Sequence, residues 1–239
     1  RENYWKTRHP RRVVPITTEY LEKLPKGRSI GPEVAAHEPW SEMNYGPNLT
    51  GTFEFGAGGA NIARKGIAIR LDPGPGGVSK GRAWAIFEHD TMRLAGAWTG
   101  SEFIDWNGVN FNGRHAIHPR IVGEVLLANP TGPGWANPID GSFADPRPLG
   151  RDGQPYGPLP RAWTRYRGLH RHGAEIALSY EVGGTPVLEQ LGMLSASQVP
   201  PHGQPVVYRA FELGARSSAR VLQVATAPNG RFTIARDPE

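Results

Sequence analysis

The sequence predicts an all-β protein: an antiparallel β-sandwich, jelly-roll-like, with long ordered Gly/Pro-rich loops and an irregular N-terminal arm. Three observations predict it. From residue 51 onward apolar residues alternate, or run over strand lengths, with almost no helical periodicity. The 239 residues include 31 glycines and 23 prolines, yet 38% are hydrophobic and seven are tryptophan, so the excess belongs to turns rather than to disorder. Two pairs of alternating runs meet across tips where glycine or asparagine supplies the positive φ that a tight hairpin demands.

Residues 1–50 mix charge, proline and aromatics and read as the arm. Within them Thr17-Thr-Glu-Tyr-Leu-Glu-Lys-Leu24 reads as a short helix, with Thr17 or Thr18 as N-cap and Pro25 as stop. Residues 51–239 form the sandwich domain. Strands are expected at Thr52–Phe55, Gly66–Leu71, Arg82–Phe87 and Met92–Trp98, with Asp72-Pro-Gly-Pro-Gly-Gly77 as a turn. Ala174–Val182 meets Thr185–Glu189 across Gly183-Gly184, and Ser218–Thr226 meets Arg231–Ala235 across Pro228-Asn-Gly230. Pro205–Leu213 alternates between them. About ten strands without helices are most economically buried by stacking two twisted sheets.

Between these strands lie blocks such as Gly132-Pro-Gly-Trp-Ala-Asn-Pro138, Gly141-Ser-Phe-Ala-Asp-Pro-Arg-Pro148 and Tyr156-Gly-Pro-Leu-Pro-Arg-Ala-Trp163, the last running into Tyr166-Arg-Gly-Leu-His-Arg-His-Gly173. Proline sets φ, glycine permits the left-handed region, and Trp or Arg locks a loop by packing and by bonds to carbonyls. Loops held this firmly present a surface.

Composition narrows the function. The net charge is +5, from 22 Arg against 5 Lys with no basic run longer than Arg11-Arg12, a pattern suited to planar, bidentate protein contacts rather than to nucleic acid. Cysteine is absent, which excludes disulfides, thiolate metal sites, a Cys nucleophile and covalent c-type haem. No apolar run reaches the ~18 residues of a membrane-spanning helix. The chain starts at Arg1 rather than Met, as a processed or a trimmed product would. No Gly-x-Ser-x-Gly elbow is present, and Gly56-Ala-Gly-Gly59 lacks the Lys and Ser/Thr of a phosphate-binding loop.

The order Asn61–Arg70, Phe87-Glu-His-Asp-Thr-Met-Arg-Leu-Ala-Gly-Ala-Trp-Thr-Gly100, His115–Arg120, Gly132–Trp135, Gly141–Phe143, Tyr156–Pro160, Tyr166–Gly168 and Leu178–Tyr180 resembles an uncharacterised extracytoplasmic bacterial domain family. That family is found beside c-type cytochrome modules and propellers similar to quinone-dependent sugar dehydrogenases, and the likeness covers roughly Tyr45 to Leu213. It implies an exported, periplasmic or extracellular protein linked to redox or sugar metabolism, and assigns no catalytic residue.

Three functions follow, in this order. The first is a non-catalytic module of an extracytoplasmic redox assembly that docks a haem-bearing or dehydrogenase partner and needs no cofactor of its own. The second is a carbohydrate-binding sandwich, with Trp98, Trp106, Trp135 and Trp163 in or beside loops and Arg161 and Arg165 to bond hydroxyls; the same surface would serve a protein partner. Trp135 and Trp163 are equally read as buried loop anchors. The third is a metal-dependent enzyme: His170 and His172 share a face if on a strand, and His115 and His118 could add ligands from a loop. Asp105-Trp-Asn-Gly-Val-Asn110 reads as an Asx-rich tip rather than a Ca²⁺ loop, for want of a closing acid. Glu88-His89-Asp90 reads as a strand-end turn rather than an acid/base set, because adjacent strand residues face opposite ways.

Overall fold

The computed structural model of the chain describes residues 17–23, 43–55, 59–106, 118–194, 206–215, 218–226 and 233. The chain forms two compact units, Arg1–Glu38 and Pro39–Glu239. In the first, the described segment is a six-residue helix, α1 (Thr18–Lys23). No helix among the described residues is long and apolar enough to cross a membrane.

The second unit is a sandwich of two sheets. Its strands are β1 (Asn48–Phe55), β2 (Asn61–Arg70), β3 (Ala83–Glu88), β4 (Arg93–Thr99), β5 (Ile104–Asp105), β6 (Arg120–Ile121), β7 (Glu124–Ala128), β8 (Thr164–His172), β9 (Glu175–Val182), β10 (Thr185–Leu194) and β11 (Val206–Leu213). One sheet runs β5-β6-β1-β2-β3-β4-β7 and the other β11-β10-β9-β8. Pairing is antiparallel apart from a short parallel contact of β1 with β6 at Glu54 and Arg120.

The pattern of β9 shows how sequence becomes layer. Ile176, Leu178, Tyr180 and Val182 are buried while Glu175, Ala177, Ser179 and Glu181 lie on the other face. The inward set packs on Ile67, Ile69, Phe87 and Leu94 of the large sheet and on Trp135, forming the core between the sheets. β3 behaves differently: all six of its residues are buried. The large sheet coils, so that Phe55 of β1 meets Trp98 of β4 edge-on at 5.7 Å, and a second core of Phe53, Phe55, Trp84, Ile86, Trp98 and Phe103 fills its other face. A strand covered on both faces reads as a continuous apolar run, which is why Arg82–Phe87 shows so little alternation.

Two sequence expectations need adjusting. The block from Tyr166 to His172, expected as loop, is strand β8, because pairing with β9 satisfies its backbone despite two arginines, two histidines and a glycine. Ser218–Thr226, expected as a strand, makes only an isolated bridge from Leu222 to Trp135, and its backbone bonds the loop at Gly134 and Ala136 instead. Its proposed partner strand, apart from Thr233, and the Asn229-Gly230 tip lie outside the described residues. The Gly183-Gly184 tip forms as expected, with Val182 opposite Thr185 and φ of 54° and 75° at the two glycines.

Candidate functional site

The turn between β3 and β4 organises the most built-up part of the surface. Glu88 and Arg93 face each other in register where the two strands separate. Glu88 Oε2 accepts from Arg93 Nη2 at 2.7 Å, Arg93 Nε at 3.0 Å and Thr91 Oγ1 at 3.1 Å, while Oε1 accepts the Arg64 amide at 3.1 Å. Fully buried Arg93 spends its remaining donors on Asn61 Oδ1 and on the carbonyls of Asn129 and Pro130. A buried pair saturated in this way is structural. It pins the start of β2 and the exit from β7 to the turn, and engages both Glu88 oxygens in hydrogen bonds.

The turn itself carries His89, Asp90, Thr91 and Met92, with Met92 in the left-handed region at φ 50°. Buried Asp90 meets Lys65 Nζ at 3.3 Å and His89 Nδ1 at 3.4 Å. The His89 ring stacks on Tyr166 with centroids 4.8 Å apart. Burial pushes the imidazole below its usual pKa, Asp90 pulls the other way, and the Lys65 ammonium adds to the lowering; the net result favours neutral His89. Two turn carbonyls then catch distant loops: Asp90 O accepts from Leu159 N and Thr91 O from Gly134 N, each at 2.9 Å. Gly134 has no substitute here, since a Cβ would lie 2.1 Å from the Met92 carbonyl oxygen.

From that anchorage the loop system of residues 129–163 is braced from within. Asn137, Asp140, Ser142, Asp145 and Asp152 each accept, through a side-chain oxygen, the amide two residues ahead. Asp145 also takes a fork from Arg147, whose Nη1 reaches Gly157 O. Burial raises the Asp145 carboxyl, but the bonds from the Arg147 side chain and amide outweigh it and hold it below the usual carboxylate range. Trp163 Nε1 donates to Trp135 O at 3.0 Å, and Trp135 Nε1 to the Tyr180 hydroxyl at 3.2 Å. The rigid loops carry apolar side chains outward: Ile139 is 85% exposed, Leu149 70%, and Phe143 and Tyr156 about half that. A shallow cleft of about 330 Å³ opens between Asn137–Ala144 and Pro160–Trp163, with Ile139, Pro146 and Pro160 on its walls. Tyr156 is itself fixed, its ring 4.2 Å from the Arg64 guanidinium carbon and its hydroxyl donating to Asp152 at 2.7 Å.

The aromatic platform expected from the sequence does not form as such. Trp98 is buried in the second core, stacked on Trp84 at 5.5 Å, and Trp135 and Trp163 are buried under the loops. These three indoles offer no face to a glycan, because each fills core volume and donates its N–H inward. The anchor reading of Trp135 and Trp163 describes them. Trp106 is half-buried and stacks on Tyr45 at 6.1 Å. Arg161 and Arg165 are exposed.

The histidines are dispersed. His170 and His172 share the outer face of β8, where the period of two puts them, while half-buried His118 precedes β6 in the other sheet, near Arg64 and Glu54. Burial, with Arg64 adding, lowers the pKa of His118. His115 lies outside the described residues, as does most of the Asx-rich segment after Trp106. Among the described residues no three His, Cys, Asp or Glu side chains converge as a metal would need.

The sequence reading missed the Glu88–Arg93 clamp, although an acid and an arginine five residues apart across a turn in an apolar stretch are a usable signal. It also missed the exposed aliphatics, because nothing local tells an outward Ile139 from a core isoleucine.

Residues 85–189 match a family described as a domain of unknown function (DUF6797). The matched segment runs from β3 into β10 and contains the clamp, the braced loops and the cleft. No curated protein and no solved structure matches the chain.

Proposed function

We propose that this chain is a non-catalytic docking module, and that the braced loops of residues 137–163 bind a partner protein. The observation that carries this reading is Ile139 and Leu149 held out to solvent on loops fixed by five side-chain-to-amide turns. A loop fixed before binding loses little entropy on association, and exposed aliphatics beside a cleft are anchors for a complementary surface. The polar groups nearby are engaged with one another, which favours binding over chemistry. Exposed Arg151, Arg161 and Arg165 on the same stretch of chain favour an acidic partner.

The partner is a haem-bearing or dehydrogenase component of an extracytoplasmic redox assembly. That half of the proposal rests on the ordered blocks from Asn61 to Tyr180 that resemble domains beside cytochrome modules; haem attached through thiols would belong to the partner, since this chain has no cysteine. The test is a native pull-down at low salt from the source cells, with a haem stain and mass spectrometry, comparing the wild-type chain with Ile139→Asp/Leu149→Asp. A redox protein retained by the wild type and lost from the double variant, at unchanged melting temperature, is the expected result. Absence of any redox protein at low salt overturns the redox reading, and equal retention by the double variant overturns the assignment of the face.

A further inference from the structure

A second site, independent of the docking face, is built around the connection between β2 and β3. Asp72-Pro-Gly-Pro-Gly-Gly77 wraps around the guanidinium of Arg70, which donates to the carbonyls of Pro73, Gly74, Pro75 and Gly77 at 2.8–3.3 Å. This has a geometric consequence. In a planar trans peptide the C=O of one residue and the N–H of the next point in opposite directions. Turning the carbonyls of Pro73 and Pro75 onto Arg70 therefore turns the amides of Gly74 and Gly76 away from it. Neither amide has an acceptor among the described residues, and both glycines line a cleft.

That cleft, of about 250 Å³, lies between the Gly/Pro loop, Asn44 and Pro47 before β1, and Arg171, Gly173 and Ala174 at the β8–β9 turn. Its charge balance is positive. The one carboxylate in its wall, Asp72, is consumed: Oδ2 takes Arg70 Nε and Nη2, and Oδ1 takes the amides of Arg82 and Ala83 at 2.8 and 2.9 Å. Among the described residues Arg171 gives only Nε, to Gly173 O, and its two terminal nitrogens, packed against Gly46, have no acceptor there. Glu175, the nearest acid in sequence, stands on the outward-facing side of β9, opposite His172. Lys80 and Arg82, on the other side of the loop, add to the positive field and form no ion pair among the described residues.

We infer that this cleft binds the oxyanion group of a small acid, a phosphate ester or a carboxylate, through the amides of Gly74 and Gly76 and the guanidinium of Arg171. Successive backbone N–H groups turned to one side, with a fork of arginine donors, form an anion-binding concavity that is ready before the ligand arrives. The glycines have a reason beyond φ: at position 74 a Cβ would lie 2.6 Å from Arg70 Nη2, and at 76 it would lie 2.7 Å from Lys80 Cγ, so any side chain would unseat the wrapping. The volume falls below the ~300–1,000 Å³ of drug-sized sites, which sets the ligand's scale.

The test is an amide-resolved NMR titration of the full chain with inorganic phosphate and, separately, with acetate, at constant ionic strength held by chloride. The expected result is saturable movement of the Gly74 and Gly76 resonances with one of the two anions, which also identifies the oxyanion as phosphate or carboxylate. Arg171→Gln should weaken that binding about tenfold or more, the size of effect a charge-assisted bond carries. Arg151→Gln, an equal loss of charge on the docking loops, should leave it unchanged. No saturable shift at Gly74 or Gly76 with either anion overturns the inference, as does equal weakening by the two variants, which would signify bulk charge and an adventitious ion only.

Discussion

The hydroxyl of Tyr180 sits between the two sheets, donating to Glu189 Oε2 at 2.7 Å and accepting from Trp135, while Arg209 Nε holds Glu189 Oε1 at 2.7 Å. Burial first, and then the facing carboxylate, push the phenol far above its ordinary value near 10. The folded chain therefore keeps Tyr180 neutral where the unfolded chain ionises it. Its contribution to stability is present in full below about pH 10 and is lost as pH climbs from there, by up to about 1.4 kcal/mol for each further unit. Urea midpoints between about pH 9 and 11 should fall steeply for the wild type and less steeply for Tyr180→Phe, which removes this proton but not those of the other tyrosines. Equal slopes in the two proteins would refute the assignment. Tyr180 takes the third inward position of β9. Its hydrogen-bond partners come from positions 135, 189 and 209, and no local pattern links them.

At the scale of elements, the β9–β10 hairpin was the most legible feature, because a two-residue connection between right-twisted strands needs positive φ at both central residues. The two glycines are nevertheless unequal. Gly184 faces open space, whereas a Cβ on Gly183 would lie 2.7 Å from Pro138 Cβ in the docking loops. Gly184→Asn should be tolerated, and Gly184→Val should cost on the order of 1–2 kcal/mol for the left-handed backbone alone. Thermal unfolding checks this; a β-branched residue at 184 without effect would mean that the turn adopts another conformation. β8 was illegible for the converse reason. Its polar residues satisfy no strand pattern by themselves, and it becomes a strand because β9 offers a complete ladder and Glu181 an ion-pair partner for Arg167. Ser218–Thr226 alternates well but, instead of another strand, finds Arg209 and the Ala136 amide for its carbonyls and the Gly134 carbonyl for the Gln223 amide.

For the whole molecule, the net charge of +5 becomes physical through its distribution. Among the described residues the buried arginines Arg93 and Arg147 are neutralised by Glu88 and Asp145, while Arg151, Arg161 and Arg165 stand exposed. If the docking face meets an acidic redox protein, charge should mainly speed encounter, while Ile139 and Leu149 govern how long the complex lasts. The association rate is expected to fall as salt rises through the physiological range, where screening acts over roughly 8 Å, with little change in dissociation. Stopped-flow measurements at two or more salt concentrations separate the two rates. A salt-independent association rate would remove electrostatics from the docking.

By itself the sequence determined the all-β class, the short helix near Thr18, the glycine tip at 183–184 and the loop-forming role of the Gly/Pro blocks, since each follows from φ preferences and side-chain period, which are local. Only the tertiary structure decided which tryptophans are core, that β8 is a strand, that Glu88 and Arg93 close a buried clamp, and that Arg70 draws in four carbonyls and turns two amides outward. Burial and hydrogen-bond partnership between residues tens of positions apart depend on how the sheets coil and stack, and a window of neighbouring residues does not carry that information.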